Sequence, residues 1–223
     1  FIDNSQEGEN PPPSDLSPIE LGYQEWEDGR LVIFQNSQHH PFVLSGEFPE
    51  TIGNITSLYH LDLSFQQLTG EIPSDIGNLV DLERLLLGDN QLQGEISESI
   101  CNLENLNVLH LGLNQLSGVL PECIFDLQNL TSLGLGGNQL SGIISPEIGN
   151  LNLGMGSVSD KLDLSGNQFT GNIPTSIGNF VYLSTIRLSS NELSGEIPES
   201  FGNLYSLVDL KLNNNQLSGD IPQ

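Results

Sequence analysis

Positive charge is scarce in this chain. Its 223 residues include five Lys and Arg against 29 Asp and Glu, a formal net charge of −24. A field of that sign repels polyanions, which argues against nucleic acid as a partner and against docking on an anionic bilayer, and it keeps copies of the chain apart, so a monomer is expected. Long apolar runs are absent too: no stretch approaches the roughly 18 residues a membrane helix needs, so no membrane insertion is expected within this segment. No secretory leader is visible, and because the first residue is Phe1 rather than Met, a processed or truncated N-terminus is expected. Only two cysteines are present, Cys101 and Cys123, too few to indicate a redox compartment. Apolar residues make up 36%, below the roughly 45–50% of a globular domain, a range that also counts Gly. Much of the remainder is Gly, Ser and Asn, which are turn formers.

What is present is a repeat. With Leu58 as its first position, copies start at Leu82, Leu106 and Leu130, each 24 residues on; the register then slips by five residues and resumes, with Leu183 and Leu207 again 24 apart. The template is L-x-x-L-x-L-x-x-N-x-L-x-G-x-I-P-x-x-I-G-N-L, most clearly in LSTIRLSSNELSGEIPESFGNL from Leu183 to Leu204. The L-x-L core of each copy predicts a short strand with leucines inward and their neighbours outward. Leu61 and Leu63, Leu85 and Leu87, Leu109 and Leu111, Leu133 and Leu135, Leu162 and Leu164, Ile186 and Leu188, and Leu210 and Leu212 fill these inward slots. One coil cannot bury such a face alone, but coils stacked at about 4.8 Å make a continuous core, and seven of them a parallel sheet about 30 Å long.

Two asparagine columns punctuate the coils. Asn90, Asn114, Asn138, Asn167, Asn191 and Asn215 follow the strand, where a carboxamide can satisfy backbone groups buried at the turn. Gln66 holds that slot in the first coil and predicts a local defect. Asn54, Asn78, Asn102, Asn150, Asn179 and Asn203 lie on the opposite side, with Asp126 replacing Asn once; a Gly before most of them suggests a tight or positive-φ turn. Between the columns, Ser/Thr-Gly-x-Ile-Pro segments begin at Ser45, Thr69, Ser117, Thr170, Ser194 and Ser218; two coils have Ser97 and Ser145 in place of the proline. Residues before proline favour extended backbone, so a second short strand row is expected.

These motifs, over residues 42–223, resemble the plant-type extracellular leucine-rich-repeat family, seen in receptor-kinase ectodomains and polygalacturonase inhibitors. The resemblance implies an α/β solenoid: a right-handed superhelix with a parallel concave sheet, a short second strand row and a 3-10 or irregular convex side. Relatives of this kind cap the N-terminal end with a cysteine pair bracketing a Trp. Here Trp26 has no nearby cysteine, and the cap is closer to that of secreted bacterial proteins with the same repeat.

The remaining segments divide simply. Residues 1–18, acidic and proline-rich, read as disordered. Residues 19–41 read as an N-terminal cap with a first irregular coil, since an open solenoid end exposes a sheet edge and an apolar disc. The repeats stop in mid-coil at Gln223, which suggests a piece of something longer. Insertions at Gln35–Phe42 and Asn152–Asp160 map to loops.

Few residues carry candidate chemistry. His39-His40 has no ligand cluster at metal spacing, so no metal is expected. The carboxylates, Glu71, Glu95, Glu98 and Glu196 among them, fall at variable outer positions, and no nucleophile-base pair, phosphate loop or cofactor signature appears, so neither a cofactor nor an enzyme activity is expected. Cys101 stands in the usual Gly slot and Cys123 two slots earlier in the next coil, close enough for either a disulfide or two free thiols. Asn54-Ile55-Thr56 and Asn129-Leu130-Thr131 match the glycosylation sequon.

The most informative placement is that of the cations. Arg84, Lys161, Arg187 and Lys211, four of the five, occupy outward strand positions beside Asp62, Asp163 and Asp209, with His60, His110 and Asp89 near them and apolar Phe65, Leu86, Val108 and Leu113 on the same face. Such a mixture suits either cross-strand charge pairing that only stabilises the sheet or a concave surface that binds a protein, peptide or glycan. A secreted or cell-surface recognition module is the leading expectation, with inhibition of a wall-degrading enzyme as a narrower version. An adhesive structural repeat is the alternative. Ice binding would favour a flat, uniform outward array, and no outward column is expected to be uniform.

Overall fold

The computed structural model describes residues 23–27, 30–36, 43–156 and 160–222. The acidic N-terminal stretch, His39-His40 and most of the Gln35–Phe42 insertion lie outside the described residues, as do residues 157–159 of the second insertion.

The described residues form a stack of coils with strands on two sides. The longer sheet runs in chain order through Tyr23–Glu27, Arg30–Gln35, His60–Asp62, Arg84–Leu86, Val108–His110, Ser132–Gly134, Lys161–Asp163, Thr185–Arg187 and Asp209–Lys211. Its first two strands are an antiparallel hairpin, and every later pairing is parallel. The hairpin therefore closes one edge of the sheet. Inward leucines stay opposite one another from coil to coil, Leu61 with Leu85, Leu85 with Leu109, Leu109 with Leu133 and Leu133 with Leu162. The last pairing shows that the five extra residues before Leu162 are absorbed outside the strands. The inward residues up to Leu193 are buried, whereas Leu210, in the last strand of the sheet, is 41% exposed because no strand covers its far side.

A second parallel sheet follows the Ser/Thr-Gly-x-Ile-Pro segments: Gln93–Glu95, Gln115–Val119, Gln139–Ile143, Gln168–Asn172, Glu192–Glu196 and Gln216–Ser218, while Ser45–Glu47 pairs with Gln67–Thr69. Each coil then closes with a five-residue 3-10 helix, such as Ser74–Asn78 and Thr175–Asn179, and no α-helix occurs among the described residues. Proline usually precedes these helices. In the two coils that lack it, the Ser97 and Ser145 hydroxyls accept the N–H of Ser99 and Glu147 instead, a serine cap in the role that backbone stiffness plays elsewhere.

The inner asparagines form a ladder. Asn114 Oδ1 accepts the N–H of Leu92 at 2.9 Å, while its Nδ2 donates to Leu87 O at 2.9 Å and Leu111 O at 3.0 Å. Asn90, Asn138, Asn167, Asn191 and Asn215 repeat the pattern. Gln66 does not break it at the acceptor end, contrary to the expected defect: its longer side chain still places Oε1 2.7 Å from the N–H of Leu44.

The glycines before the outer asparagines act otherwise than expected. Gly53, Gly77, Gly149 and Gly178 are not at positive φ. They are small because the next coil presses on them: a Cβ on Gly77 would meet Ser99 O, and one on Gly53 would meet Asp75 O. Positive φ belongs instead to glycines of the second strand row, such as Gly118 at 79°. Where Cys101 replaces the packing glycine, the residue it faces in the next coil is Cys123, and the two are disulfide-bonded with Cα atoms 5.9 Å apart. A covalent link thus stands where the other coils use close backbone contact.

Replacing Asn114 by Ala should orphan the Leu92 N–H, while the Leu87 and Leu111 carbonyls keep the Nδ2 groups of Asn90 and Asn138 as donors at 3.0 Å each. At about 1–3 kcal/mol for a buried unpaired group, urea unfolding should show a loss in that range. A loss below about 1 kcal/mol would mean that the ladder does not hold the coils.

Candidate ligand-binding face

The parallel register places the outward side chains of the longer sheet in rows across the coils. One row runs His60, Arg84, Val108, Ser132, Lys161, Thr185, Asp209; the next runs Asp62, Leu86, His110, Gly134, Asp163, Arg187, Lys211. Phe65, Asp89 and Leu113 stand just beyond the strand ends, in a third row that continues through Gly137, Gly166, Ser190 and Asn214. The sequence-selected residues are therefore brought to one face. Val108 is the exception as a contact residue: it is 6% exposed, because a short side chain between Arg84 and Ser132 sits below its long neighbour.

Charge pairing explains part of this face. The Arg187 Nε and Nη2 donate to Asp209 Oδ2 at 2.9 and 2.7 Å, and Nη1 lies 3.8 Å from Asp163 Oδ2. A partly exposed pair of this kind stabilises by about 0–1 kcal/mol. Arg84, Lys161 and Lys211 make no ion pair among the described residues. Pairing therefore accounts for one of the four cations on the face and leaves three available.

His110 is the best-defined polar group between them. Gly134, directly across from it, leaves room for two side chains to lie over the sheet: a Cβ there would be 2.8 Å from His110 Cδ2 and 3.2 Å from Lys161 Cε. The fully buried Ser132 hydroxyl accepts the N–H of Lys161 at 3.2 Å and lies 2.9 Å from His110 Nε2. The hydroxyl can donate to Nε2 or accept from it, according to the ring tautomer. Burial, aided by the Lys161 and Arg84 charges, pushes the His110 pKa down to about 4. His60 is lowered as well, chiefly by burial and then by Arg84, and its ring lies 3.0 Å from Gln35 Nε2. Burial raises Asp89, with Lys161 opposing.

The third row is strained. Phe65, Asp89, Leu113, Ser190 and Asn214 have φ between 55° and 60°, a left-handed conformation that costs about 1–2 kcal/mol for a residue with a Cβ. Phe65 and Leu113 are nevertheless 45% and 59% exposed. Together with Asp89, His110, Lys161 and Asp163 they line a groove whose floor is Gly88, Gly112, Gly134 and Gly136. The sequence alone did not reveal the strain, although Gly137 and Gly166 in the same column were its signal. It also missed an outward column that is nearly uniform: Gln67, Gln91, Gln115, Gln139, Gln168 and Gln216 recur in the second strand row, with Glu192 once. Register staggers them, Gln168 facing Ser141 and Gln216 facing Ser194, so they climb the sheet rather than form a straight array.

Asn54 and Asn129 are both exposed, and Asn129 Nδ2 donates to Glu104 O at 2.8 Å. Among the described residues no group of three or more His, Cys, Asp or Glu is placed to hold a metal ion.

Comparison with known proteins agrees with this geometry. Leucine rich repeat family models match residues 94–140 and residues 57–79, 81–103, 160–180 and 182–204. No curated protein matches the chain in sequence. Among solved structures it is similar to the plant peptide hormone receptor RGFR1 in complex with RGF2, with 40% identity, 85% of this chain and 29% of the receptor covered, and a TM-score of 0.76. It is also similar to the leucine-rich-repeat ectodomain of the membrane receptor kinase GASSHO1/SCHENGEN3 from Arabidopsis thaliana in complex with CASPARIAN STRIP INTEGRITY FACTOR 2, with 36% identity, coverage of 86% and 22%, and a TM-score of 0.78. A plant ice-binding protein is 25% identical, with coverage of 90% and 78% and a TM-score of 0.62. The chain spans less than a third of the length of the two receptors.

The position of His110 has a pH signature. Its folded pKa lies below the ordinary 6.5, so folding favours the neutral ring; the stability this contributes is present above about 6.5 and is lost as pH falls toward 4. NMR of the His110 ring should therefore show neutral imidazole from pH 8 down to about 5. A midpoint near 6.5 would place the ring in solvent and break the Ser132 arrangement.

Proposed function

We propose that this chain, which belongs to the leucine-rich-repeat family with the repeat of its plant-type extracellular branch, is an extracellular recognition module whose concave sheet binds an extended peptide. The observation that carries this is the gathering on one face of cations without carboxylate partners, Arg84 and Lys161, with exposed Phe65 and Leu113. A sheet built only for stability would pair its cations, as Arg187 is paired, and would not hold large apolar residues in water at a strained backbone position. The two receptor ectodomains that resemble the chain were solved with RGF2 and with CASPARIAN STRIP INTEGRITY FACTOR 2 bound, which supports a peptide over a glycan. The Arg, Lys and apolar side chains of the face are its anchors, with His110 as a polar group between them.

The test compares the chain with an Arg84→Glu, Lys161→Glu double variant as bait in its native extracellular milieu. A peptide retained by the first and lost by the second, with circular dichroism unchanged, is the expected outcome. Equal retention by both baits would remove the concave face as the binding site.

A further inference from the structure

The left-handed row is more specific than a general binding face requires. Phe65, Asp89 and Leu113 hold the same position in three successive coils, and at that position the chain elsewhere uses Gly137, Gly166, Ser190 and Asn214, of which only the glycines take the conformation freely. Neither Phe65 nor Leu113 fills the core, so their strain is not offset by burial within the chain.

The ground beside the row limits what can lie on it. Gly88, Gly112 and Gly136 accept the N–H of Phe65, Asp89 and Leu113 at 2.9, 2.9 and 2.7 Å. Those carbonyls and N–H groups are engaged within the solenoid and do not form a free sheet edge, so a ligand cannot add itself here as another strand. A polyproline II segment has no such need, since it has no internal hydrogen bonds and keeps its backbone solvated. The absence of side chains on the three glycines lets it approach closely.

Spacing selects the same conformation. Phe65 and Leu113 are two coils apart, or about 9.6 Å at roughly 4.8 Å per strand. Polyproline II returns to one face every third residue, about 9.3 Å at a rise of ~3.1 Å. A β-extended peptide returns at about 6.7 Å and again at about 13 Å, neither of which matches. Of the two residues between the contacts, one with a long side chain can reach Asp89, which favours a cation there, in keeping with the net charge of −24.

Building on the peptide-binding role above, we propose that the Phe65–Asp89–Leu113 row docks a proline-rich peptide in the polyproline II conformation, with apolar side chains at positions i and i+3 seated on Phe65 and Leu113 and a Lys or Arg between them.

A displayed random-peptide library selected on the chain tests this, with a Phe65→Gly, Leu113→Gly double variant and an Asp89→Lys variant as comparisons. The expected winners carry proline, apolar residues three apart and a basic residue between. A synthesised winner should bind the glycine double variant at least tenfold more weakly and lose affinity for Asp89→Lys. The double variant itself should melt no lower than the parent, because glycine relieves the left-handed strain; a lower melting point would assign Phe65 and Leu113 to stability and overturn the proposal. Winners without the three-residue period, winners indifferent to the double variant, or an empty selection would also overturn it. Winners lost on Arg84→Glu, Lys161→Glu but retained by the glycine variant would overturn this row while leaving the concave face as a peptide site. Winners indifferent to both variants would overturn both.

Discussion

Everything in this molecule depends on satisfying backbone groups where each coil turns out of its strand. A turn buried in a solenoid leaves N–H and C=O groups without water, and every coil has the same problem at the same place. One carboxamide solves it by accepting from one coil and donating to two carbonyls, as Asn114 does with Leu92, Leu87 and Leu111. Because the solution links each coil to the one before it, it also fixes the register between them. Register in turn makes the outward positions into rows, and the rows bring Arg84, Lys161, Phe65 and Leu113, far apart in the sequence, onto one face. The composition of that face is a consequence of the ladder.

The opposite side of the coil meets a different constraint, that of close approach. Gly53, Gly77, Gly149 and Gly178 let the next coil's backbone come to where a Cβ would sit. The chain departs from this at Cys101 and Phe125, and at the first of these Cys101 and Cys123 replace contact by a covalent bond. Ser97 and Ser145 make an analogous exchange, a hydroxyl acceptor in place of proline stiffness. These substitutions show that the repeat prescribes functions for its positions rather than fixed residues. The five-residue slip before Leu162 fits the same view, since the ladder re-forms across it between Leu140 and Asn167.

Where sequence patterns carry such functions directly, they were legible. Leucine spacing and the two asparagine columns specified the solenoid, both strand rows and the face on which the cations gather. Backbone sign was not legible, because Phe65 and Leu113 are residues that do not advertise positive φ; only the glycines in their column did. The packing role of Gly77 was misread as a turn for the same reason, since glycine serves both ends and only the distance to Ser99 separates them. Burial of Val108 and the bond between Cys101 and Cys123 depend on how neighbouring coils approach, which spacing along the chain does not contain. The staggering of the glutamine column likewise belongs to register between strands.

Electrostatics separates what the concave face needs for its own stability from what it offers to a partner. In a chain with a net charge of −24, a cation finds nearby carboxylates at little cost, and Arg187 has taken Asp209 and Asp163. Arg84 and Lys161 have Asp62, Asp89 and Asp163 within a few side-chain lengths and bond none of them. Asp163 is held instead by Ser165 and Arg187, while burial works against ionisation of Asp89. Asp163 is thus engaged away from Lys161, and the cations stand beside a His110 whose burial favours the neutral ring. That leaves cations without ion pairs beside exposed apolar side chains in a strongly negative molecule, the mixture that the proposed peptide would meet.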